Sequence, residues 1–93
     1  MNSLPYTLAP LPRKVENFIR RLDQETQARI STAFEYILSS PFRHENPTTI
    51  TPLHGKKKGL YRYRIGNLRF IYQVDREERI IHIVQIDNRG DIY

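Results

Sequence analysis

Six cations fall between residues 56 and 69, namely Lys56, Lys57, Lys58, Arg62, Arg64 and Arg69, with no acidic residue among them. Arg89 and Tyr93 follow at the C-terminal end. Guanidinium, ammonium and phenol groups can together act on a phosphodiester of RNA without a metal. The 2′-hydroxyl attacks its neighbouring phosphate, one group accepts its proton and another protonates the leaving oxygen. Fixed cations stabilise the extra charge of the phosphorane, best where water is excluded. Arginine suits the last role and cannot be the base, because its pKa exceeds about 12. Lysine or tyrosine can accept the proton where neighbouring positive charges lower the pKa. Lys56, Lys57 and Lys58 stand among other cations, and Tyr93 is close to Arg89 in sequence. The same residues can also grip phosphates and catalyse nothing. Spacing alone leaves both readings open.

Other chemistries find little support. His44, His54 and His82 have neither the helical nor the loop spacing of a zinc site, so no metal site is expected. His82 falls mid-strand between Ile81 and Ile83 and reads as a structural histidine. No glycine-rich loop opens a helix, Ser31, Ser39 and Ser40 have no accompanying base, and no close carboxylate pair occurs. There is no cysteine, which excludes disulfides, thiolate metal sites and a thiol nucleophile. No cofactor is expected.

A strand-turn-strand must hold the cations. From Leu60 the residues alternate, with Leu60, Arg62 and Arg64 on one face and Tyr61, Tyr63 and Ile65 on the other. After Gly66-Asn67 the alternation resumes, with Leu68, Phe70, Tyr72 and Val74 against Arg69, Ile71 and Gln73. Gly-Asn between two such runs predicts a tight hairpin, since both residues tolerate the positive φ of primed turns. The expected result is an arginine face backed by an aromatic and aliphatic one.

The remaining elements follow in order. A first strand is expected around Tyr6 to Ala9. Val15, Phe18, Ile19 and Leu22 recur at helical spacing and predict an amphipathic helix of about three turns behind Pro12. Asp23 is a fair cap for a second helix, which carries Ile30, Ala33, Phe34, Ile37 and Leu38 and stops at Ser39-Ser40-Pro41. The short break between them predicts a helical hairpin. Residues 41–53, with three prolines, read as a loop. Asp75 to Glu78 reads as a turn, and the strand from Arg79 to Ile86 is apolar on both faces, hence central or covered on both sides.

The 93 residues make a single domain, 1–93, of the α+β class: an N-terminal strand and a helical hairpin packed on a small, mostly antiparallel sheet. Net charge is +5, near-balanced over residues 13–53 and purely positive over 54–71. Clustered charge favours nucleic acid or an acidic protein as partner. No signal-peptide core or run approaching ~20 apolar residues occurs, so no membrane partner is expected and a cytoplasmic location is.

The run LHGKKKGLYRYRIGNLRFIYQVDREERIIHIVQIDNRGDIY resembles the C-terminal half of RelE/ParE-superfamily toxins of bacterial type II toxin–antitoxin modules. The resemblance rests on Leu53 and Gly55, the Arg62/Arg64 strand, Gly66, Arg69 to Tyr72, the strand ending at Ile86, and Arg89 to Tyr93. The strand and helical hairpin before it also fit. It implies a microbial-RNase-like fold and a cognate antitoxin as partner. It also implies one of two activities. RelE-type members are mRNA endonucleases acting in the ribosomal A site, so messenger and ribosome would be partners. ParE-type members instead poison DNA gyrase. An inactive nucleic-acid- or antitoxin-binding module is a third outcome.

By the same resemblance, Arg62 and Arg64 occupy strand positions where relatives place basic residues. Arg69 matches the arginine that stabilises the phosphate transition state. Arg89 matches the one that protonates the leaving oxygen, and Tyr93 the tyrosine that orients or deprotonates the 2′-OH. Arginine at both 62 and 64 removes lysine as proton acceptor there, leaving Tyr93 or Lys58. Asn88 stands where many relatives have histidine. The expected catalytic set is therefore Arg64, Arg69, Arg89 and Tyr93, with Arg62, Lys56, Lys57 and Lys58 binding RNA phosphates.

Overall fold

The computed structural model describes residues 4–53 and 59–88. The order of elements is β1 (Thr7–Leu8), α1 (Arg13–Arg20), α2 (Gln24–Ser39), β2 (Ile50–Pro52), β3 (Leu60–Ile65), β4 (Leu68–Asp75) and β5 (Ile80–Asn88). The strands form one sheet in the order β1-β5-β4-β3-β2. Among the described residues only the β1–β5 pair is parallel. This is the expected α+β fold of a mostly antiparallel sheet, with one strand more than the sequence reading gave.

The extra strand is β2, inside the stretch read as a loop. Three prolines hid it, but Ile50 is buried and pairs with Tyr63, Thr51 with Arg62 and Pro52 with Tyr61. Proline is tolerated because β2 is the sheet's edge, where no further strand needs its missing N–H.

The helices start and stop for local reasons. α1 begins directly after Pro12 and runs eight residues, shorter than predicted, so that Leu22 lies beyond its end. Arg21 and Leu22 tighten the last turn with bonds to Phe18 and Ile19. The Gln27 amide then reaches back to donate to the Ile19 carbonyl at 2.9 Å and the Leu22 carbonyl at 2.8 Å, satisfying orphan acceptors. Asp23 caps α2 as predicted, accepting from the Thr26 N–H at 3.2 Å and its hydroxyl at 2.6 Å.

The core lies between one face of the sheet and the stripes Val15 of α1 and Ile30, Ala33, Phe34 and Ile37 of α2. Tyr63, Ile65, Leu68, Phe70, Tyr72, Val74, Ile81, Ile83 and Ile86 supply the sheet side. Phe70 stacks on Tyr63 at 5.0 Å and meets Phe34 edge-on at 5.0 Å. Such ring pairs add to the area they bury. The Tyr72 hydroxyl, fully buried, donates to the Pro41 carbonyl at 2.6 Å and ties the stretch after α2 to the sheet.

Two features set the strand faces. The β3–β4 turn places positive φ at Gly66 (+55°) and not at Asn67, the pattern of a type II′ turn, although both residues were expected to serve it. In β5 the pairing steps from Tyr72↔Ile83 to Ile71↔Gln85, leaving Val84 unpaired in a bulge. Ile83 and Ile86 therefore both face the core across an odd spacing, and Val84 stays 46% exposed. β5 has neighbours at both edges, but its apolar residues do not mark burial on two faces. The bulge is the physical reason.

Candidate phosphate-binding face

Residues directly opposite in antiparallel strands share a face, so the register assembles the site. Arg64 pairs with Arg69, Arg62 with Ile71 and Thr51, and Arg69 in turn with Asp87. Arg62, Arg64 and Arg69 thus lie together on the sheet face away from the helices, as the alternation predicted. Arg64 and Arg69 oppose each other directly, which brings their Cβ atoms within about 4.5–5.5 Å. Two like charges there are mutually repulsive, so the arrangement weakens the free protein and suits a bound anion.

Each arginine is differently held. Arg69 donates from Nε to Asp87 Oδ1 at 3.0 Å, and its side chain is 28% exposed against 39% for Asp87. The other Asp87 oxygen accepts from Gln85 Nε2 at 3.1 Å. A half-exposed pair of this kind adds only about 0–1 kcal/mol to stability. The Arg62 Nε is buried with no acceptor among the described residues. Buried donors are ordinarily satisfied, and the exceptions call for a reason. An anion placed over the face offers one. Arg64, at the end of β3, also lines a cleft of about 520 Å³ against α2. Arg29, Thr32, His44, Thr49 and Tyr63 share that cleft.

His44 packs against the Tyr36 and Tyr63 rings at 4.5 and 5.9 Å, and its Nδ1 accepts from the Asn46 N–H at 3.0 Å. Burial pushes the Tyr63 phenol above its ordinary range, and the Tyr72 phenol further still. Both stay protonated at neutral pH and neither is a proton acceptor. His82 faces outward opposite Gln73, exposed rather than built into the core.

Of the predicted site residues, Arg62, Arg64 and Arg69 are brought together. Lys56, Lys57, Lys58, Arg89 and Tyr93 lie outside the described residues, as does His54. Sequence reasoning missed Asp87, Gln85 and Arg29. The signal for Asp87 was the phase break between Ile83 and Ile86, which a bulge explains. For Arg29 it was the position on α2 one residue before the buried Ile30.

A family model described as the ParE toxin of the type II toxin–antitoxin system parDE matches residues 11–93. No curated protein matches the chain. Three solved structures are similar in fold. The toxin–antitoxin complex RelBE2 from Mycobacterium tuberculosis matches with TM-score 0.73 and 24% identity, over 92% of this chain and 100% of that one. The archaeal RelE–RelB complex from Pyrococcus horikoshii OT3 gives 0.75 and 23%, over 91% and 94%. The isolated E. coli RelE toxin gives 0.71 and 20%, over 89% and 83%.

Proposed function

The chain belongs to the ParE toxin family of type II toxin–antitoxin systems, and from that premise we propose that this toxin is a metal-independent endoribonuclease acting on messenger at the ribosome. One observation carries the reading: Arg62, Arg64 and Arg69 share one face of a hydrogen-bonded sheet, with Arg64 and Arg69 directly opposed. A sheet fixes guanidinium groups better than a loop, and preorganised cations are what a phosphorane needs.

In this mechanism Arg69 holds a non-bridging oxygen through its terminal nitrogens, while Arg62 and Arg64 hold the flanking phosphates. The 2′-oxygen bonds to phosphorus, the bond to the 5′-oxygen breaks, and a 2′,3′-cyclic phosphate and a 5′-hydroxyl result. Proton transfer falls to Tyr93 or Lys58 as acceptor and Arg89 as donor, with Lys56 and Lys57 adding phosphate contacts. A cognate antitoxin silences the toxin. The two complexes above pair toxins of this fold with antitoxins, and the arginine face, on which Asp87 meets only Arg69, suits an acidic segment that folds on docking. A cytoplasmic site of action follows from the ribosomal target. Among the described residues no helix is long and apolar enough to cross a membrane.

Primer extension on a defined messenger, with and without programmed ribosomes, tests the reading. Cuts that need ribosomes are expected. Arg69→Ala should lower cleavage by about 100-fold or more, as loss of a charge-stabilising donor does, with RNA affinity changed far less. Intact cleavage by Arg69→Ala would remove that residue from the mechanism.

A second reading, inhibition of DNA gyrase, is favoured by the family match itself and by arginine rather than lysine at positions 62 and 64. It predicts blocked supercoiling and untouched messenger.

A further inference from the structure

We propose that Asp87 is a positioning residue for Arg69, a carboxylate strut that aims the guanidinium at the scissile phosphate. The inference rests on the reading of the arginine face as a phosphate site and deepens it.

The geometry is specific. Guanidinium has five donors in a planar fork, and Asp87 Oδ1 takes only the Nε–H, at 3.0 Å. Among the described residues the terminal nitrogens make no hydrogen bond, so the end-on fork, one N–H from each, stays available for two parallel bonds to a phosphate. Asp87 is itself held, because its other oxygen accepts from Gln85. Gln85, Asp87 and Arg69 form a chain running across two strands, anchored by the register Arg69↔Asp87 and Ile71↔Gln85. An arginine held this way cannot swing away from Arg64, which opposes it and repels it.

The bulge at Val84 makes the strut possible. If the same residues paired regularly after Tyr72↔Ile83, with Val84 opposite Ile71, Ile86 would stand opposite Arg69 and Asp87 would turn toward Leu68 and the core. With the bulge, the Asp87 carboxylate stands on the outer face beside Arg69. Both of its oxygens already accept a bond, which suits a strut rather than a proton acceptor.

Asp87→Asn and Asp87→Ala separate the possibilities. Asparagine keeps an oxygen to accept from Nε and loses the charge, while alanine loses both. With programmed ribosomes, a strut predicts that Asp87→Ala lowers kcat on the order of 10- to 100-fold, as loss of an orienting partner does. KM should change less. Asp87→Asn should recover most of the activity. Equal loss in both variants would make Asp87 a proton acceptor and overturn the proposal. Faster cleavage by both would make it a competitor of the phosphate and do the same.

A second readout needs no activity. The Arg69 Nε–H proton, assigned in a 15N spectrum by its disappearance in Arg69→Lys, should exchange with solvent more slowly than that of Arg64. In Asp87→Ala the difference should vanish. Equal exchange in the wild type would overturn the strut whatever the variants do. If the wild type cuts no messenger, the nuclease reading fails, and the exchange comparison still decides whether Asp87 holds Arg69.

Discussion

Tyr72 shows how one side chain links stability to pH. Its ring is fully buried beneath β4 and its hydroxyl donates to the Pro41 carbonyl. Burial raises its pKa above the ordinary tyrosine range. The unfolded chain ionises near pH 10 and the folded one does not, so above about pH 10 the unfolded state binds fewer protons and stability falls as pH rises. Tyr63 contributes in the same direction. Tyr72→Phe should lower stability at neutral pH by about 1–3 kcal/mol, because the Pro41 carbonyl loses its donor. It should also flatten the alkaline limb of a urea-denaturation series taken across pH. An unchanged alkaline limb would mean that other tyrosines govern it. The arginines obey the opposite logic. Arg62 keeps a buried donor unmet among the described residues and Arg64 faces Arg69, and both arrangements cost the free fold stability.

At the level of elements, what was legible depended on how regular the local pattern was. The β3–β4 hairpin could be read almost residue by residue, since strict alternation on both sides of Gly66-Asn67 admits one register. The α2 cap was equally clear, because Asp23 followed three residues on by Thr26 allows only a few bonding partners. β2 was hidden by proline statistics that do not apply to an edge. β5 does lie inside the sheet as one of the two readings had it, but its faces were misread, because Ile81, Ile83 and Ile86 change phase and an alternation rule turns a bulge into a two-faced strand. Asp87 was lost with it. The cap carries its own test. Hydrogen bonds from Thr26 hold the Asp23 carboxyl below its ordinary pKa, so its stabilisation is present above the ordinary carboxylate range and is lost as pH falls through the lower folded value. Asp23→Ala should lower the melting temperature at pH 7 and narrow the gap from wild type as pH drops toward 2. A gap that stays constant would assign the cap's effect to backbone propensity instead of charge.

For the whole molecule, the fold class and the side on which the arginines lie followed from sequence, because both depend on periodicity over many residues. The pairing of Arg69 with Asp87 depends on Val84 being taken up as a bulge, and the cleft beside Arg29 on how α2 meets the end of β3. Neither leaves a periodic trace. The charge distribution makes a global prediction about RNA. Binding to single-stranded RNA should weaken steeply with salt, by about 0.7 in log K per log salt for each phosphate contacted. Replacing Arg62, Arg64 and Arg69 together by alanine should flatten that slope by about 2. A slope unaffected by the triple change would move RNA binding to another surface.

β5 follows every other described element in the chain, yet in the sheet it lies between β1 and β4. During synthesis the earlier strands and both helices emerge first, and β2, β3 and β4 can pair before β5 arrives. β1 has no partner, and β4 lacks the neighbour that covers its inner edge. A nascent chain that has not yet released β5 therefore holds Arg69 without Asp87 and an unsealed core, since non-local pairings form only after loop closure. The sheet is therefore complete only once the last described strand has been made.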